Sequence, residues 1–96
     1  MNLRQSLASA IKSVRKARKL TQEDFGVVSS RTYLSSLERG LKSPTLDKLD
    51  ELAKVLEVHP ASVVLLAYAM QSSREDWAGA IDRIADEAKG IVSSLP

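Results

Sequence analysis

Apolar residues recur along this chain at helical intervals, and nowhere do they alternate as they would along a half-buried strand. Leu3, Leu7, Ile11 and Val14 fall on one stripe and predict a helix over about 3–18. Thr21 then offers an N-cap, and Asp24 can reach back to its amide, so a short second helix opens at "TQEDF" and ends by Val27 or Val28. Ser29 and Ser30 supply the next cap. Behind them Tyr33, Leu34 and Leu37 predict a helix that stops before Gly40, a natural left-handed terminator.

Pro44 forces Ser43 out of helical geometry, so "LKSPT" is a loop, and Thr45 caps the next helix. Leu46, Leu49, Leu52, Ala53 and Leu56 make this fourth helix. Pro60 suits the first position of a fifth, 60–71, whose apolar residues run all round it as in a helix buried by its neighbours. Ser72 or Ser73 caps a last segment. In it Trp77, Ile81, Ile84, Ala88, Ile91 and Leu95 are spaced by fours and threes, the narrow seam of a coiled coil. The pattern is all-α.

Ninety-six residues suffice for one core but not for a second domain with a deep cleft. Without cysteine there is no disulfide framework and no thiolate metal site, and a reducing cytoplasm is the expected location. The first residues lack the apolar run of a signal peptide. The longest apolar stretch, "ASVVLLAYAM", falls short of the roughly 18 residues of a membrane span.

Charge is distributed unevenly. Residues 1–43 carry nine Lys or Arg against three Asp or Glu, whereas residues 44–96 carry five against nine. A basic first half suits phosphates, and an acidic second half suggests a separate surface for something else. Arg15, Lys16, Arg18 and Lys19 are equally compatible with a solvated run.

Enzymatic chemistry finds no support. His59 is the only histidine and precedes Pro60 at a helix start, a capping position. No nucleophile and base can be paired around it, no glycine-rich phosphate loop occurs, and Asp47, Asp50, Glu51 and Glu57 spread along a helix without His or Cys to hold a metal. No cofactor or metal is expected.

Two short helices joined by a tight turn, after a basic helix and before two apolar ones, form the arrangement of a helix-turn-helix DNA-binding unit. The outer face of "SSRTYLSSLERG" carries Ser, Thr and Arg rather than the Glu and Lys pairs of an ordinary solvated helix. Such side chains suit base edges and phosphates.

At these residues the sequence resembles the phage-repressor helix-turn-helix family, Cro-type or XRE. "LTQE", "RTYLSSLERG", "SPTL" and "VHPASV" stand in family order within residues 20–64, and the resemblance covers roughly 7–67. It implies a five-helix lambda-repressor-like DNA-binding domain over 1–71, with a further amphipathic helix over 72–96. By position, Arg31, Thr32 and Ser36 match residues that read bases, while Gln22, Ser30, Arg39, Lys42 and Ser43 match backbone contacts. Arg15 and Glu38 match a pair that ties the first helix to the recognition helix, and Arg15 in its basic run would also suit a DNA contact.

One departure stands out. Between "LTQE" and "RTY" the family has about nine residues, whereas here there are seven, "DFGVVSS", so the second helix is shorter or its turn tighter.

The seam from Trp77 to Leu95 predicts either a homodimer contact or a helix folded back over its own chain. Gly79 and Gly90 weaken a freestanding helix, so it needs a partner surface either way. The expected function is a bacterial or phage-derived transcription regulator that binds double-stranded DNA, without a membrane. The alternative is a protein-interaction module, such as an antitoxin or adaptor, that uses the acidic second half and the seam.

Overall fold

The computed structural model describes residues 1–96 and contains five α-helices, two 3-10 turns and no strand. The helices are α1 (Leu3–Ala17), α2 (Arg31–Glu38), α3 (Leu46–Leu56), α4 (Pro60–Ala69) and α5 (Trp77–Val92). The segment opening at Thr21 forms a single 3-10 turn, Gln22–Phe25, and not the short helix expected there. The missing two residues thus come out of the helix. Another 3-10 turn, Arg74–Asp76, leads into α5.

Caps fix where the helices start. Asn2 Oδ1 accepts from the Gln5 amide at 2.9 Å, and Gln5 Oε1 accepts from the Asn2 amide at 3.1 Å, a reciprocal box that closes the start of α1. The Thr21 amide donates to Asp24 Oδ2 at 2.7 Å, fixing the 3-10 turn. Ser30 caps α2, Thr45 caps α3, and His59 caps α4 by accepting from the Ala61 amide at its Nδ1, 2.9 Å away. Gly40, at φ +72°, ends α2 in the left-handed conformation that a side chain would strain. His59 is therefore occupied with structure.

The core gathers Ala10 and Ile11 of α1, Phe25 of the 3-10 turn, Leu34 and Leu37 of α2, three leucines of α3, and Val63 and Ala67 of α4. Phe25 is wholly buried, so even one 3-10 turn contributes an aromatic anchor. Helix α4 lies against α1, α3 and α5, which explains its apolar residues on all sides, although Tyr68 reaches solvent. Two stripe residues depart from expectation. Leu3 is exposed, and Leu46 is 81% exposed, because each stands in the first turn of its helix, beyond the edge of the core. No single helix is long and apolar enough to cross a membrane, and α3 and α4 meet at a bend of 101°.

A buried ion pair joins α1 to α2. Arg15 Nε and Nη2 donate to the two carboxylate oxygens of Glu38 at 2.6 and 2.9 Å, with side-chain exposures of 11% and 3%. Arg15 Nη1 also donates to the Leu20 carbonyl at 2.8 Å. Gln22 Nε2 donates to Glu38 Oε1 at 3.1 Å, so the network ties α1, the 3-10 turn and α2 together. Its donors and acceptors are matched, and the structure leaves no buried side-chain polar atom unpaired.

Burial pushes the Glu38 carboxyl up, but hydrogen bonds from Arg15 and Gln22 and the charges of Arg15 and Lys12 outweigh it and hold the group below its ordinary 4.5. A carboxylate depressed on folding stabilises the native state above the unfolded value, and that contribution is lost as pH falls through the folded value. Glu38→Ala leaves Arg15 buried and unpaired, and should cost about 3 kcal/mol near neutral pH. In urea titrations the gap between wild type and variant should narrow as pH drops below 4.5.

Candidate nucleic-acid interface

The outer face of α2 borders a shallow cleft lined only by polar residues, Gln22, Arg31, Thr32, Ser35 and Arg39. Residues 31, 32, 35 and 39 lie within an arc of about 100° on a helix turning about 100° per residue, and Gln22 enters from the neighbouring 3-10 turn. The opposite face of α2 holds Leu34 and Leu37, fully inside the core. The segment therefore buries its leucines and presents guanidinium and hydroxyl groups on one side only.

Ser36 does not share that face. It is 8% exposed and stays out of the cleft that Ser35 lines.

The remaining expected residues have definite places. The Ser30 hydroxyl accepts from the Tyr33 amide at 3.0 Å, which leaves its own proton free to donate outward. Gln22 spends one amide proton on Glu38 and keeps the other. Lys42 and Ser43 are exposed in the loop after Gly40, with Lys42 Nζ 5.6 Å from the Tyr33 ring centroid. Lys48 Nζ lies 5.8 Å from the centroid of the same ring, and donates to the Val28 carbonyl at 2.7 Å. Arg15 is buried with Glu38 and turned away from solvent. Glu23, which sequence reasoning passed over, places Oε1 3.3 Å from Arg31 Nη1.

The seam of α5 is divided. Ala80 is buried and Trp77 and Ile81 are half-buried where α5 lies along α4, whereas Ile84, Ala88, Ile91 and Leu95 are exposed. The Trp77 indole N–H donates to the Ser72 carbonyl at 3.2 Å, and the Arg74 guanidinium stacks 4.4 Å from its ring centroid. The large anchor expected for a partner chain is thus engaged within its own. Helix α5 ends at Val92, and Leu95 lies past the turn at residues 93–94, outside the helix.

Comparison with known proteins places this geometry. Residues 11–63 match the helix-turn-helix family model. The uncharacterised HTH-type transcriptional regulator y4dJ of Sinorhizobium fredii is 41% identical over 66 residues, covering 67% of this chain and 86% of that protein. The crystal structure of the clp gene regulator ClgR from Corynebacterium glutamicum superimposes with a TM-score of 0.66 at 27% identity, covering 96% of this chain and 90% of that one. The chain belongs to the Cro-type (XRE) helix-turn-helix family of DNA-binding transcriptional regulators.

Proposed function

We propose that this protein regulates transcription by binding a short inverted-repeat DNA site as a homodimer, with α2 in the major groove. The observation that carries the reading is the polar cleft over α2, with two arginines and no apolar residue. Arg31 donates two bonds to a guanine, Thr32 offers its methyl to a thymine, and Ser35 takes the third base-reading position. Gln22, through its second amide proton, and Ser30, through its hydroxyl proton, bind phosphates together with Arg39, Lys42 and Ser43. Residues 1–71 form the DNA-binding unit.

The C-terminal element, 72–96, pairs two copies. Ile84 and Ile91 repeat at a seven-residue interval on α5 and are exposed, as is the neighbouring Val92. A second copy covers them and brings two α2 helices to half-sites about one DNA turn, roughly 34 Å, apart.

A protein-binding module of the antitoxin or adaptor type is the second reading. It draws on an apolar hollow between the N-terminal ends of α3 and α4, where Leu46, Leu49, Pro60, Val64 and Leu65 meet. Stoichiometric capture of a protein partner, with no sequence preference on DNA, favours it.

Selection from a random duplex pool should return an inverted repeat, and affinity for it should fall steeply with salt as counterions are released. Arg31→Ala should lose about 1–3 kcal/mol on the selected site and relax preference at one or two base pairs, whereas Lys42→Ala should weaken all sequences alike. A flat salt response overturns the reading.

Ile91→Glu places a charge in the proposed pairing surface, where Ile91 is now 54% exposed. Sedimentation equilibrium should show this variant as a monomer that keeps half-site binding but loses the gain from the second half-site.

A further inference from the structure

Residues 21–43 supply most of the proposed DNA surface and contain three carboxylates, Glu23, Asp24 and Glu38. Two have structural work. Asp24 accepts from the Thr21 amide and hydroxyl at the 3-10 turn, and Glu38 is buried with Arg15 and Gln22. Glu23 has no such task. Its side chain is 73% exposed, and its partner is Arg31, itself 70% exposed, at the polar cleft.

In water an exposed pair of this kind adds little to stability. Beside a polyanion its effect is different. A carboxylate next to Gln22, the proposed phosphate clamp, is repelled by the DNA backbone unless a cation neutralises it. We infer that Glu23 is a positioning and specificity-determining residue that holds Arg31 toward a base edge and penalises its capture by phosphates. The inference rests on the DNA-binding function proposed for α2.

The chemistry depends on how many protons a guanidinium offers. Arginine has five N–H donors, and the contact to Glu23 uses one of them, on Nη1. A guanine takes two, so Arg31 can read that base while Glu23 stays neutralised. On a sequence without the guanine, the alternative for Arg31 is a phosphate, and reaching it abandons Glu23 beside the backbone. The carboxylate therefore weakens random binding more than specific binding, which is discrimination achieved by repulsion.

Glu23→Gln keeps the shape and removes the charge at an exposed position, so the fold is preserved. The experiment measures affinity for the selected duplex and for a random duplex, across a salt series, with wild type, Glu23→Gln, Arg31→Ala and the double variant. Glu23→Gln should tighten random binding about tenfold and selected binding less than about threefold, and should increase the salt slope on random DNA by about one phosphate contact. In the Arg31→Ala background the change in discrimination should vanish. Equal tightening on both duplexes, or an unchanged effect without Arg31, overturns the inference while leaving the DNA-binding reading intact. A wild-type protein that selects no motif removes the DNA-binding reading, and the role of Glu23 with it.

Discussion

The pairing of Arg15 with Glu38 sets the geometry on which the rest of this structure depends. A bidentate guanidinium and carboxylate, almost free of solvent, can exist only where α1 and α2 sit at one separation and one rotation. Such a pair is a poor source of net stability, since desolvating both charges offsets most of their attraction. Its value is positional. Glu38 stands at the last turn of α2 and also receives Gln22, so the same carboxylate that fixes the helix fixes the amide at the edge of the cleft. Displacing α2 would break the pair and misdirect Gln22 together.

That constraint bears on the shortened segment between α1 and α2. A single 3-10 turn cannot bury the stripe that a full helix would, and it compensates with one wholly buried aromatic, Phe25. The amides of Val28 and Ser29 both turn back to the Phe25 carbonyl, and the Val28 carbonyl accepts from Lys48 of α3. The turn's polar groups thereby find partners without the missing residues. Lys48 also lies against Tyr33, so α3 supports both the turn and the start of α2.

Much of this is legible in the sequence, and the misses have a common cause. Helix positions, the caps at Ser30, Thr45 and His59, and the stop at Gly40 are set by local chemistry that periodicity and cap residues report directly. What local chemistry does not report is which of two adjacent hydroxyls faces out. Ser35 and Ser36 are the same residue type, so their chemistry alone does not say that Ser35 lines the cleft and Ser36 is buried. The contacts of Trp77 within its own chain are illegible for a related reason: a heptad interval describes a stripe, not what covers it. The role of Glu23 depends on its approach to Arg31 across eight residues, a contact that neither periodicity nor spacing reveals.

The division of the α5 seam has a mechanical consequence. Its first half is fastened to its own chain where α5 lies along α4 with Ala80 buried, and by the Trp77 bond to Ser72, while Asp76 with Arg83 at 2.7 Å ties the helix to its own entry turn. A Cβ at position 79 would lie 2.8 Å from the Asp76 carboxylate, so Gly79 leaves room for that ion pair in its present geometry. The direction in which the exposed second half leaves the domain is therefore set by the domain itself. A pairing surface carried on a rigidly oriented helix fixes the spacing of two attached recognition helices, whereas a flexible linker would average over many spacings. On the proposed reading, the contacts at residues 72–83 decide which half-site separation the protein reads, although none of them belongs to the DNA-facing cleft.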